Sequence, residues 1–434
     1  LINSVIIRDP RLDAARIRKR SANSVYSSRI FQRVQGIIDD VEKRGDRAIF
    51  HYTKKLDGVA LKSLLVSSNE IQDAYANVST KQIRSVMLIR ERLIKSEKTL
   101  LKHLFKEIKT ISNGITINRI VRPLRSVGCY IPGGKARYPS TAIMCIVPAK
   151  VANVERIVAI CPPLKDGSVD PLTLVAADIC GATEFYKMGG AHGIAALSLG
   201  TSTINKVDKI VGPGGTFATA AKILVSKNVS IDMVAGPTEL LIYADSSSPS
   251  RLIALDILSQ AEHSLETFCG LVTTSKKLAA EVISDIRRIL SKGNIGRTNF
   301  VRKSLRDNGF IAISRNRSMA IEFANEIAPE HLEILSKDYR YVSRKITTAG
   351  LTLIGKYTPS SASDYCLGSN HVLPTMEYGK SRSSLSVLDF VKIMNIVEAT
   401  GAGLKRVEYA IKEIAYAEGL SNHYESVKER LKDL

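Results

Sequence analysis

Four of the seven histidines lie in the second half of the chain, each in a polar cluster. The clusters are Gln260-Ala-Glu-His263, Glu330-His331, Asp364 with His371, and Glu418-Gly-Leu-Ser-Asn-His423. Imidazole beside carboxylate supplies metal ligands and general bases. Gln260 and His263 are three apart on an expected helix and so share a face, whereas Glu262 points elsewhere and reads as structural. Glu330-His331 follows Ala328-Pro329, which puts the pair at a turn or helix start, where a bland reading is capping and surface charge. Asp364 and His371 flank the small residues Gly368-Ser-Asn, as in a site loop. A carboxylate, an amide and imidazoles suit zinc or another divalent metal with open positions. Together the four clusters point to a metal-dependent enzyme.

The elements that must position these groups have an α/β rhythm. Residues 1–25 read as a helical arm, and 29–55 and 80–110 as long amphipathic helices; Ile30, Val34, Ile37, Ile38 and Val41 fall on one stripe. From about 126, strand-length apolar runs alternate with helical patterns. Strands are expected at Val127–Ile131, Arg156–Ile160, Glu184–Met188, Lys206–Val211, Glu239–Ala244 and Gly270–Thr274. Helices are expected at 140–152, 171–180, 191–199, 216–226, 249–264 and 276–292. The rhythm weakens through 308–314 and 350–354, and the chain turns helical again at 386–398 and 402–417. Buried strands alternating with helices predict parallel sheets.

Three glycine turns, Pro132-Gly-Gly134, Gly189-Gly190 and Gly212-Pro-Gly-Gly215, follow strands and open helices. Such a turn aims backbone N–H groups at a phosphate. None matches GxGxxG, and any one alone reads as a tight βα turn. Three at strand carboxyl ends predict a nucleotide crevice.

Composition narrows the class. At 434 residues, 44% hydrophobic and 24% charged, the chain is long enough for more than one core and is not a disordered sequence. No apolar run reaches membrane-span length, and the first residues lack an apolar signal core, so cytoplasm is the expected location. None of the six cysteines forms a CxxC; five read as buried and Cys366 as lining a site. The net charge of +20 owes about +9 to residues 81–125, with twelve Lys/Arg against three Asp/Glu. A basic helix face can bind nucleic acid, but no nucleic-acid motif accompanies it.

The motifs taken together closely resemble the histidinol dehydrogenase family. Val127-Gly-Cys-Tyr-Ile-Pro-Gly-Gly134, Leu258-Ser-Gln-Ala-Glu-His263, Ala328-Pro-Glu-His331, Ser363-Asp-Tyr-Cys-Leu-Gly-Ser-Asn-His371-Val-Leu-Pro374 and Ala417-Glu-Gly-Leu-Ser-Asn-His423 carry the resemblance, in the family's order over nearly the whole chain. It implies NAD-dependent oxidation of L-histidinol to L-histidine through an aldehyde. It implies that Gln260, His263, Asp364 and His423 bind one zinc per site, which grips the substrate. His331 matches the general base and Glu330 the group that activates water. Substrate contacts carry over to Thr238, Gln260, His263, His331, Asp364, His371, Glu418 and His423, and an NAD contact to Tyr130.

The implied fold is α/β: two Rossmann-like parallel-sheet domains with helical N- and C-terminal arms. The expected division is 1–25 as an arm, 26–126 with 241–384 as the catalytic domain, 127–240 as an inserted cofactor domain, and 385–434 as an arm that enters the partner's site in a homodimer. At two cofactor-binding positions the chain departs from the family. His192 replaces a glutamine in Gly189-Gly-Ala-His192, and Gly215 replaces an asparagine in Gly212-Pro-Gly-Gly215. At Thr238, Gly236-Pro-Thr-Glu239 keeps a hydroxyl where the family has serine. The alternatives are a zinc- and NAD-dependent dehydrogenase of another small alcohol on this scaffold, and a basic nucleic-acid-binding protein on a retired enzyme scaffold.

Overall fold

The structure, a computed structural model, describes residues 2–21, 27–104, 108–133, 137–292 and 297–432. Gly134 of the first glycine turn and residues 22–25 of the expected arm lie outside the described residues. The first strands are β1 (Asn3–Ile6), β2 (Ile108–Ser112), β3 (Ile115–Pro123), β4 (Ser126–Tyr130), β5 (Arg156–Cys161), β6 (Glu184–Lys187), β7 (Lys209–Val211) and β8 (Ser230–Ile231). They are followed by β9 (Glu239–Ala244), β10 (Phe268–Thr273), β11 (Gly309–Ile313), β12 (His331–Leu335), β13 (Leu351–Ile354) and β14 (Val391–Ala399).

Two parallel sheets form, in the order β6-β5-β4-β7-β8 and β1-β11-β10-β9-β12-β13. Their strands are nearly continuous apolar runs, such as Arg156-Ile-Val-Ala-Ile-Cys161, because helices cover both faces. In each sheet the strand order reverses once, between β4 and β7 and between β9 and β12. Such a reversal opens a crevice between helices that leave on opposite faces. β1 corrects the expectation of a purely helical arm at 1–25. It pairs in parallel with β11, Asn3 opposite Phe310, and only Pro10–Ser21 is helical.

Helix Ser28–Arg44 buries the expected stripe Val34, Ile37, Ile38 and Val41, against helices Gly190–Leu199 and Thr216–Val225. It stops at Gly45, whose φ of 53° breaks the expected 29–55 helix. Helix Thr80–Leu104 packs on helix Pro139–Val151. Residues 28–104 therefore pack with the sheet β4–β8, whereas the sequence reading grouped 26–126 with 241–384.

Two further expectations are corrected by a three-stranded antiparallel sheet, β14-β3-β2. The expected 80–110 helix ends at Leu104, and 108–110 belong to β2. Asn113 (φ 50°) and Gly114 (φ 82°) then make the tight turn into β3. The expected helix 386–398 is a short 3-10 turn, Val387–Phe390, followed by β14. Val391, Ile393, Ile396 and Val397 are β-branched and favour a strand once an edge is available. That edge is β3, which pairs with β14 from Val391 opposite Pro123 to Ala399 opposite Ile115. Helices Gly401–Ala417 and Ser421–Arg430 complete the arm. Five cysteines are buried and Cys366 is half-buried, all six with free thiols. Among the described residues no helix is long and apolar enough to cross a membrane.

Candidate active site and cofactor crevice

The catalytic candidates gather at the amino ends of β9 and β12, the neighbours at the second sheet's reversal. Glu330 Oε2 accepts from Thr238 Oγ1 at 2.8 Å and from the Glu239 backbone N–H at 2.7 Å. Thr238 Oγ1 in turn accepts from Gln260 Nε2 at 2.8 Å. The Gln260 amide is thereby oriented, with its N–H committed to the protein and its oxygen on the other side.

His331, the first residue of β12, is buried. Its Nδ1 lies 3.2 Å from the Glu239 carbonyl oxygen, and a proton there would leave Nε2 with a lone pair. Nε2 is 3.5 Å from Asp364 Oδ1 and makes no hydrogen bond. Burial disfavours the imidazolium, but Glu330 and Asp364 outweigh it and push His331 up to about 10. Burial likewise raises Asp364, yet His331, His371 and His263 hold its carboxyl below the usual range. Three imidazoles thus favour the ionised form of one carboxylate. His371 Nδ1 donates to the Asp364 carbonyl at 2.7 Å, and its Nε2 is 3.3 Å from Thr141 Oγ1, on a helix of the first sheet. Burial holds His371 below its ordinary value. His263 is exposed in the bend after helix Ser250–Ala261.

Behind this layer stands a second one at matching spacing. Asp256 precedes Gln260 by one helical turn, Glu333 follows His331 by one strand repeat, and Ser360 precedes Asp364 by four residues. Ser360 N donates to Glu333 Oε1 at 2.6 Å. Burial and the neighbouring Glu333 push Asp256 up to about 8.

Glu418 and His423 are not brought to these residues. Both are exposed on the C-terminal arm, beside a hollow lined by Val407, Ile411, Ile414 and Leu420. The arm meets the body at the Asn113-Gly114 turn, where Thr400 N donates to Gly114 O at 2.9 Å. Among the described residues no three His, Cys, Asp or Glu side chains form a metal-binding group. Gln260, His263 and Asp364 fit a divalent ion chemically, through one amide oxygen, one imidazole and one carboxylate, but leave the set short of a fourth donor.

The cofactor candidates occupy the reversal of the first sheet. Tyr130 ends β4, and Gly212-Pro-Gly-Gly215 follows β7. A Cβ on Gly212 would lie 2.2 Å from Tyr130 O, so only glycine lets the loop seat against that strand. Tyr130 Oη accepts from Gly190 N at 3.3 Å, which joins two of the glycine turns. The loop is clamped from beneath. Lys222 Nζ donates to Gly212 O at 2.9 Å and pairs with Asp232, whose Oδ2 accepts from Gly212 N at 2.8 Å. Gly215 is exposed, and a Cβ there would meet nothing within 4 Å. His192 does not line this opening. It is buried with Nε2 3.4 Å from Thr53 Oγ1 and 3.8 Å from Asp57 Oδ2, and burial pushes it down to about 4.

The sequence reading missed Glu239's side chain, Arg18, Thr141, Lys222 and Asp232. A lysine inside the apolar helix Thr216–Val225 was a usable signal for Lys222. Arg18 carries no such mark among the many arginines of a basic chain.

Comparison with known proteins identifies the family. The family model described as histidinol dehydrogenase matches residues 19–431. Histidinol dehydrogenase of Methanocaldococcus jannaschii is 41% identical over 410 residues, covering 94% of each chain. That of Clostridium acetobutylicum is 41% identical over 431 residues, covering 98% of this chain and 99% of its own. The crystal structure of histidinol dehydrogenase from Elizabethkingia anophelis superposes with a TM-score of 0.92 at 32% identity, covering 100% of this chain and 98% of that one. The match in sequence, length and fold makes this chain a member of the histidinol dehydrogenase family.

Proposed function

We propose that the chain oxidises L-histidinol to L-histidine in two NAD-dependent steps, with the aldehyde held between them. The observation that carries this reading is the buried His331 beside Glu330 and Asp364, with Thr238, Gln260 and His371 ordered around them. Each oxidation removes a proton from oxygen as hydride leaves carbon, and His331 Nε2, beside Asp364 Oδ1 at 3.5 Å, is the atom that takes it. The second oxidation needs a hydroxyl on the aldehyde carbon, and Glu330 is the carboxylate that takes the proton from the attacking water. Thr238 and the Glu239 N–H both bond one Glu330 oxygen, which leaves the other to turn toward the substrate.

Gln260, His263 and Asp364, with His423 of the partner subunit, would hold zinc. Zinc, when bound, supplies a Lewis-acidic anchor for the substrate's nitrogen atoms. The arm that carries Glu418 and His423 leaves Tyr409, Ile414, Tyr416 and Leu420 exposed, which supports a homodimer with shared sites. The cofactor belongs at the Tyr130–Gly212 crevice, where the backbone approaches closely.

The test is NADH formation with L-histidinol and with related amino alcohols, before and after chelation, together with metal analysis of His263→Ala. The reading expects turnover with L-histidinol, loss on chelation and collapse of metal content in the variant. Turnover of another amino alcohol with none of L-histidinol would assign the chain to a different substrate. Full metal content in His263→Ala would reject the ligand set.

A further inference from the structure

We infer that Arg18 and Glu239 are positioning residues for the catalytic pair, and that the N-terminal helix sets the efficiency of the second oxidation. The inference rests on the roles proposed for Glu330 and His331.

Glu239 touches both of those residues through its backbone. Its N–H binds Glu330 Oε2 at 2.7 Å, and its carbonyl faces His331 Nδ1 at 3.2 Å. Its side chain turns to the opposite face of β9 and joins three distant segments. Oε1 accepts from Arg18 Nη1 at 2.5 Å and from Met376 N at 2.9 Å. Oε2 accepts from Arg18 Nη2 at 2.8 Å and from Glu330 N at 3.3 Å.

Arg18 does more than neutralise the carboxylate. Its Nε donates to Ile327 O at 2.9 Å and its Nη2 to Ala328 O at 3.1 Å, while its guanidinium lies 4.6 Å from the Phe268 ring centre. Ala328 has φ +45°, a left-handed conformation that a residue with a Cβ adopts at a cost. The two carbonyls that Arg18 grips lie at and just before that strained residue, immediately ahead of Pro329-Glu330-His331. Met376, on the other side of the carboxylate, also has a positive φ, +52°. Arg18 and Glu239 are 8% and 2% exposed, so water cannot replace a lost partner.

The two catalytic residues depend on this brace unequally. His331 is the first residue of β12 and is fixed by pairing with β9 and β13. Glu330 precedes the strand. Its backbone N–H is bound by Glu239 and its carboxylate by Glu239 N and Thr238. Loosening Glu239 therefore disturbs Glu330 more than His331, and the aldehyde-to-acid step more than the alcohol-to-aldehyde step.

The test compares Arg18→Lys and Glu239→Gln with the parent in the metal-loaded dimer. Lysine keeps the charge but cannot bind two carboxylate oxygens and two carbonyls at once. Glutamine keeps the shape but turns one acceptor into a donor. The readouts are the rates of the two half-reactions measured separately, released aldehyde trapped by semicarbazide, KM for L-histidinol, and Tm. The expected result in both variants is a fall of about tenfold in the ratio of the second rate to the first, as one charge-assisted bond's loss implies. Free aldehyde should accumulate, with KM changed less than about threefold. A purely structural role lowers Tm or the active fraction and moves both rates together; an unchanged ratio overturns the inference. If Arg18→Lys does not fold, the ratio in Glu239→Gln decides alone. Glu330→Gln run alongside separates the two levels: an equal loss in both half-reactions there overturns the assigned roles and the brace with them.

Discussion

Gly215→Asn tests whether the crevice between β4 and β7 receives the cofactor. Gly215 is the residue before helix Thr216–Val225, with φ −67° and ψ 174°, a backbone that asparagine adopts without strain. A Cβ there meets nothing within 4 Å, so the new side chain enters open space. Two gains are available. As a helix cap, asparagine exceeds glycine by a few tenths of a kcal/mol, which shifts Tm by about 1 °C in a chain of this length. As a neutral hydrogen bond to bound NAD it contributes about 1 kcal/mol, or about fivefold in affinity. The two are separable because only the second depends on cofactor. The assay is steady-state KM for NAD at saturating L-histidinol, with Tm measured with and without NAD. The expected outcome is KM lowered about fivefold and a larger NAD-induced rise in Tm. A Tm gain without NAD, coupled to an unchanged KM, would mean that the side chain caps the helix and never meets the cofactor. That result would refute the placement of NAD against Gly212–Gly215.

Three other outcomes follow from buried groups and from the arm. Lys222→Met strands the Asp232 carboxylate and should cost about 3–5 kcal/mol, read as a lower denaturation midpoint, with KM for NAD raised because Gly212 loses a tether. Glu97 accepts from Val387 N at 2.6 Å, and burial pushes its pKa up from 4.5 to about 7. The folded value exceeds the unfolded one, so its contribution is intact below about 4.5 and is lost as pH climbs through about 7. Glu97→Gln should therefore raise Tm at pH 8 and leave it nearly unchanged at pH 4.5, with a gain of roughly 1–3 kcal/mol; equal shifts at both pH values would exclude titration as the cause. Finally, mixing His331→Asn chains with His423→Ala chains should restore activity, since one site of each mixed dimer holds both intact groups. No recovery after confirmed subunit exchange would mean that each arm serves its own chain.

Legibility from sequence followed the range of the interactions. The parallel strands were readable because each is a local apolar run between helical patterns, as in Arg156–Cys161 and Glu239–Ala244. β14 was misread as a helix because its partner, β3, lies some 270 residues earlier, and only that pairing selects the strand. β1 was absorbed into a helix for the same reason, since its partner is β11. The β2–β3 hairpin was legible and was overlooked: Asn113-Gly114 between alternating residues is a strong local hairpin signal. For the site, the motifs named Thr238, Gln260, Glu330, His331, Asp364 and His371, which do converge. They could not show that His192 turns inward to Thr53 and Asp57, because the direction of a side chain at a helix start depends on what packs over it.

Apart from the edge strand β1 the two sheets share one strand order, yet their candidate site residues stand at opposite ends of them. In the first sheet Tyr130 and Gly212 lie at the carboxyl ends of β4 and β7, where ligands of open α/β sheets ordinarily sit. In the second, Thr238, Glu330 and His331 lie at the amino ends of β9 and β12. At the carboxyl end of that reversal the two loops bond to each other. Asp245 accepts from Ser247 N and Oγ at 2.8 and 2.5 Å and from Ser336 Oγ and Lys337 N at 2.7 and 2.9 Å. The reason for the inversion lies in the connection. Residues 232–238 link β8 to β9, beginning at the Asp232 that clamps the Gly212 loop and ending at the Thr238 that holds Glu330. That link is only seven residues long, at most about 24 Å when extended, and it enters β9 at its amino end. Hydride transfer requires the substrate carbon in contact with the cofactor, and this short link ties the amino end of β9, with Thr238, to the Gly212 loop. Thr219 Oγ1, bonded to Ala235 O at 2.8 Å, and Arg382, bonded to Asp232 O, fix that link from both sides.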